Sequence, residues 1–105
     1  MTLNDYQIKA KATAVYPSNS RNALMYTSLG LASEAGEVAG KVKKLLRDAV
    51  WSKDAMRDEL GDVLWYVSAL AGHIGYTLEE VAQANIDKLA DRKERNRIQG
   101  SGDYR

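Results

Sequence analysis

Apolar residues recur at helical spacing in four stretches, and the polar residues between them supply the stops. Leu3, Tyr6, Gln7, Ala10 and Ala14 fall on one face and predict a first helix over residues 3–15. Pro17, the single proline, pushes Tyr16 toward an extended conformation and ends that helix, while Ser18, Asn19 and Ser20 supply turn and N-cap chemistry. A second helix is expected from Arg21 to Arg47, with the stripe Leu31, Val38, Val42, Leu45 and a basic end at Lys43, Lys44 and Arg47. Asp48 to Ser52 reads as a short connection, with Ser52 as N-cap of a third helix that reaches Ala71 and stops near Gly72; its stripe is Met56, Val63, Val67, Leu70. After a turn at Gly75–Thr77, the box Thr77-Leu-Glu-Glu80 opens a fourth helix over Leu78–Arg95. No strand-like alternation is sustained. The pattern predicts an all-α fold, a four-helix bundle formed by one domain over residues 1–105, with short loops and mostly antiparallel neighbours.

The second and third helices carry an echo. Glu34-Ala-Gly-Glu37-Val38 returns 25 positions later as Glu59-Leu-Gly-Asp62-Val63. Residues three apart are helical neighbours, so each copy sets two carboxylates side by side. At about 100° per residue, both pairs lie on the flank of their apolar stripe, not across from it. An ordinary solvated acid face sits opposite the core. Two antiparallel helices would therefore bring Glu34, Glu37, Glu59 and Asp62 together. Such a group repels itself and raises its own pKa values unless a cation is bound, and all-oxygen donors suit the hard ions Mg²⁺ and Mn²⁺. Ordinary pairing of these acids with lysines, Glu37 with Lys41 above all, is the competing arrangement. Gly36 and Gly61 each cost ~1 kcal/mol against Ala within a helix, which implies a close approach of helices at both.

A polar stripe on the fourth helix holds Asn85, Lys88 and Arg92. A lysine point charge and an arginine fork both suit phosphate oxygens, and Asn can reach a sugar or base. Lys41 and Lys44 share the acid side of the second helix, where they either steer a polyphosphate or neutralise Glu37. Gln7 and Tyr26 are candidates for a base pocket, with packing as the other role for Tyr26. Tyr66 lies one turn beyond Asp62, whereas Trp65 points to core or interface and His73 marks a helix end.

Leu31 to Val38 and Arg57 to Tyr66 resemble the MazG-like nucleoside triphosphate pyrophosphohydrolases of the all-α NTP pyrophosphatase superfamily. The family pattern is E-E-x-x-E followed by E-x-x-D; Ser33 stands where the first Glu would be, and Glu34, Glu37, Glu59 and Asp62 match. Asn85 to Arg92 resembles the family's phosphate-contacting segment. The opening Tyr6-Gln7 and the run Ala23 to Tyr26 are similar to small phage and bacterial members. The resemblance implies Mg²⁺-dependent cleavage of a (deoxy)nucleoside triphosphate to monophosphate and pyrophosphate. It further implies two or more ions (Mn²⁺ as substitute) on those four acids, and a homodimer or homotetramer with pockets near subunit contacts. A house-cleaning hydrolase for modified nucleotides or an alarmone, and a non-catalytic helical interaction module, are the alternative readings.

Composition narrows the choice. A net charge of +1 with 28% charged residues argues against a strongly basic nucleic-acid binder and an acidic disordered chain. Asp91 and Glu94 interrupt the basic run of Lys93, Arg95 and Arg97, so nucleic acid is not an expected partner. Without cysteine there is no disulfide or thiolate site, and one histidine cannot build a His-rich zinc or di-iron centre. With no basic-then-apolar leader and no membrane-spanning run, a cytoplasmic protein is expected, or one in the host cytoplasm if phage-encoded.

Overall fold

A computed structural model describes residues 1–16 and 19–105. It contains α1 (Leu3–Lys11), α2 (Ser20–Asp48), α3 (Lys53–His73) and α4 (Leu78–Glu94), with no strand among the described residues. Each helix starts on a side-chain cap. Asn19 accepts from the amide of Asn22, Ser52 from Ala55 and Thr77 from Glu80. The Thr77–Glu80 box is reciprocal, as expected, and α1 has a second such box, Thr2–Asp5. The α2–α3 connection turns on Ala49 in the left-handed conformation (φ 54°), whose amide reaches back to Leu45 and Lys44.

Helix α1 is shorter than its periodicity suggests. It stops at Lys11, and Thr13 turns its hydroxyl back onto the Ala10 carbonyl at 2.7 Å while accepting from the Trp65 indole at 2.9 Å. A side-chain hydroxyl that offers the backbone an alternative partner ends helices in this way. The expectations for Pro17 and Ser18 lie outside the described residues.

Among the described residues α2 packs on α3 alone, while α1 and α4 pack on α3 and on each other. The α2–α3 pair is antiparallel: Lys41 meets Glu59, and Gly30 meets Tyr66, so residues climb one helix as they descend the other. Because α2 and α4 do not touch, the four helices do not close around a common interior. Ala10, Ala23, Ala71 and Leu78 are the buried apolar residues among those described, and the α2 and α3 stripes are only partly covered.

Close helix approach occurs at Gly30, not where the sequence pointed. A Cβ at Gly36 or Gly61 would meet nothing within 4 Å. A Cβ at Gly30 would fall 2.1–2.6 Å from the Tyr66 ring. That ring is in turn held against Trp65, with centroids 5.0 Å apart, and against Tyr26 at 6.3 Å.

Gly30→Ala is therefore expected to destabilise the protein by about 1–3 kcal/mol, the range for overpacking. In a thermal-unfolding double-mutant cycle, Tyr66→Ala relieves that cost, so the two losses are less than additive. Additive losses would mean that Gly30 and Tyr66 do not meet.

Candidate metal centre

The α2–α3 register brings Glu34, Glu59 and Asp62 together. One carboxylate oxygen from each lies within 4.8 Å of the other two. Glu34 and Glu59 are half-buried and Asp62 is exposed. Glu37, the fourth expected member, is exposed and lies outside this trio, one turn along α2. Its charge nevertheless reaches Glu34. The Glu34 carboxyl is held above the ordinary carboxylate range, first by loss of water and then by Asp62, Glu59 and Glu37, with Glu59 also in hydrogen-bonding range. This is the signature of like charges crowded at one place without enough cations among them.

One cation does reach the trio. Lys41 Nζ lies 3.6 Å from Glu59 Oε1. Lys41 thus pairs across the helix interface with Glu59, and not along its own helix with Glu37. Lys44 is exposed and forms no ion pair among the described residues. Three carboxylates against one lysine leave a local negative excess that a hard divalent ion can neutralise, and all the donors are oxygens.

Tyrosines line one side of the acids. Both Tyr6 on α1 and Tyr66 on α3 have phenols pushed up by burial; Asp62 adds to each, and Tyr66 also feels Tyr26 and Glu34. The placement of Tyr66 one turn past Asp62 puts it beside the site, as its spacing indicated. Tyr6 is a neighbour that local spacing could not reveal, because it comes from another helix. Farther along α3, a cavity of ≈ 580 Å³ opens between α1 and the α3–α4 turn. Its walls include Tyr16, Trp65, Ser68, His73 and Tyr76, and none of the acids. Tyr16 stacks on Tyr26 at 4.9 Å and its hydroxyl bonds the His73 ring, so this aromatic layer runs from the cavity to Tyr66.

Gln7 is a clamp in this structure. Its amide donates to the carbonyls of Ser68 and Tyr76, and its oxygen accepts from the Leu78 amide at 2.9 Å. Both ends of the side chain are used in tying α1 to α3 and to the start of α4, and Gln7 also lines the cavity. Asn4 adds a matching pair of bonds to Glu79.

On α4, Asn85 is exposed. Lys88 and Arg92 share one partner, Asp103: Lys88 Nζ lies 3.1 Å from its carboxylate, and Arg92 reaches the carboxylate at 3.4 Å and the Asp103 carbonyl at 2.6 Å. Arg92 is only 5% exposed, so this cation is enclosed by the segment that follows the helix. The two cations are thus convergent, as the stripe predicted, but they meet on a residue of the same chain.

A family model described as the MazG nucleotide pyrophosphohydrolase domain matches residues 24–96. The chain is 46% identical to the Gene 37 protein of Mycobacterium phage L5, with both chains covered in full. No solved structure matches it.

The crowding of Glu34 has a measurable consequence. Its folded-state pKa is raised, so its protonated form favours folding, and that contribution is lost as pH rises through the raised value. Without metal, Glu34→Gln is expected to unfold a few degrees above the parent at neutral pH. The advantage should shrink as the pH is lowered through the carboxylate range, where the parent's Glu34 takes up its proton. A melting curve for Glu34→Gln that lies below the parent's at neutral pH would contradict the crowding.

Proposed function

The chain belongs to the MazG nucleotide pyrophosphohydrolase family, and from that premise we propose that it is a Mg²⁺-dependent enzyme that hydrolyses a (deoxy)nucleoside triphosphate to the monophosphate and pyrophosphate. The observation that carries the reading is the convergence of Glu34, Glu59 and Asp62 from two helices onto one small volume. Glu34, Glu59 and Asp62 would hold the ions, with Glu37 as the fourth carboxylate at their edge. Mg²⁺ or Mn²⁺ there would supply charge neutralisation for the triphosphate and would lower the pKa of a water able to attack the α-phosphorus.

The chain's own groups do the rest. Half-burial of Glu34 and Glu59 keeps their carboxylates fixed in a region of reduced water, where charge interactions are stronger than on an open surface. Lys41 is near enough to Glu59 to exchange that carboxylate for a phosphate oxygen, and Lys44 follows it on the same side of α2. Lys88 and Arg92 provide a second cationic contact for phosphate, a point charge beside a planar fork, with Asn85 one turn before them. The raised phenols of Tyr6 and Tyr66 stay protonated at neutral pH, so both can donate a hydrogen bond toward the acids or their ligand.

The active form is at least a homodimer. A folded monomer of 11.6 kDa is expected to expose ~5,800 Å², whereas this chain exposes 7876 Å². Its radius of gyration is 16.3 Å, against ~13 Å for a compact domain of this length. Leu29, Leu46, Leu60 and Ile86 stand in solvent. An excess on the order of 2,000 Å² is the amount an obligate interface covers.

Two measurements test this reading. Chromatography of products from a dNTP panel should show monophosphate plus pyrophosphate, only when Mg²⁺ or Mn²⁺ is present. Glu59→Gln should lower kcat by ~100-fold or more, beyond the 10- to 100-fold cost of disturbing a residue that merely orients a metal ligand. Diphosphate plus inorganic phosphate as products, or equal turnover by Glu59→Gln, would refute it. Light scattering on the purified protein should give twice the 11.6 kDa chain mass or a higher even multiple.

A further inference from the structure

The segment after α4 folds back on the helix through a set of contacts that serve no visible end in the fold. Gly100 and Gly102 adopt φ 143° and 82°, conformations that side chains rarely take. A Cβ at Gly100 would also fall 2.8 Å from Arg105 Cδ. The hook is fastened by Arg105, whose guanidinium donates to the carbonyls of Arg97, Ile98 and Gly102, and by Arg95, which donates to the Arg105 carbonyl at 2.7 Å. Its product is the placement of one carboxylate, Asp103, between Lys88 and Arg92.

We propose that residues 99–105 form a displaceable latch in which the Asp103 carboxylate stands in for a phosphate group, holding Lys88 and Arg92 until substrate phosphate takes its place. The inference rests on the reading of Lys88 and Arg92 as phosphate contacts and adds a regulatory step to it. Three features fit exchange better than a permanent bond. First, Asp103 is 73% exposed while Arg92 is 5% exposed, so the anion is open to attack from solvent and the cation is held ready behind it. Second, the same two cations hold the Asp103 carboxyl below its ordinary value, so it is fully charged at neutral pH. A triphosphate brings more charge and more oxygens to the same fork. Third, the remaining fastenings, Arg95 to the Arg105 carbonyl and Arg105 to the Arg97 and Ile98 carbonyls, are exposed hydrogen bonds that water can replace, and the glycines let the segment swing away without moving the helix.

A tethered competitor lowers apparent affinity by the fraction of molecules in which it is open. For a partly exposed charge-assisted contact that penalty is roughly 3- to 10-fold. Inorganic tripolyphosphate is the probe, and binding, not turnover, is the readout, so a protein without hydrolytic activity still gives an answer. By titration calorimetry, Asp103→Asn and Gly100→Ala should each bind tripolyphosphate about 3- to 10-fold more tightly than the parent. Lys88→Ala should bind it more weakly. In the parent, saturating tripolyphosphate should speed amide hydrogen exchange across residues 99–105. Unchanged or weaker binding by both Asp103→Asn and Gly100→Ala overturns the latch, as does a segment that stays protected with tripolyphosphate bound. Unchanged binding by Lys88→Ala overturns it too, together with the phosphate role of α4, while the acid centre is judged separately by the hydrolysis assay.

Discussion

Mutual repulsion among Glu34, Glu59 and Asp62 is the constraint around which this molecule is arranged. Three carboxylates with oxygens within 4.8 Å of one another are costly to hold together, and the antiparallel contact of α2 with α3 does so without a matching set of cations. Lys41 answers part of the charge on Glu59 from the opposite helix. The Glu34 carboxyl is raised first by loss of water and then by Asp62, Glu59 and Glu37. Such a cluster of oxygen donors can hold a metal ion.

The two polar clusters follow a common logic. At the acids, a lysine of the same chain occupies the place of a cation. On α4, an aspartate of the same chain occupies the place of an anion. Glu59, Lys88 and Arg92 thus have a charged partner before any ligand arrives, and among the described residues no buried side-chain nitrogen or oxygen lacks a hydrogen-bond partner. Ligand binding at either cluster is an exchange of partners, and its net strength is the difference between two sets of contacts.

Rigidity is supplied by the aromatic layer and by Gln7. Tyr16 stacks on Tyr26 and meets Trp65 edge-on, both of those rings meet Tyr66 beside the acids, and the missing Cβ of Gly30 makes room for that last ring. Gln7 fixes α1 and the start of α4 to α3 with three hydrogen bonds. Among the described residues α2 and α4 make no close backbone approach, and the apolar stripes remain partly open.

How far the sequence alone reached is decided by the range of each interaction. Helix existence, the Ser52 and Thr77 caps, and the facing of Glu34 and Glu59 toward the edge of their apolar stripes are set by residues within four positions of one another. The echo of Glu34–Glu37 in Glu59–Asp62 was legible for the same reason, and the register that joins the two was implied by a connection too short to allow anything but an antiparallel return. Contacts between residues far apart in the chain could not be read this way. Tertiary structure alone decided that Glu37 stands outside the acid trio, that Lys41 crosses to Glu59, and that Gln7 is spent as a clamp. It also decided that the needed glycine is Gly30 and not Gly36 or Gly61, and that Lys88 and Arg92 close on Asp103. Each of these turns on which side chain of another element happens to lie within about 3–4 Å, the range of a hydrogen bond or van der Waals contact, and periodicity along a single helix carries no record of that.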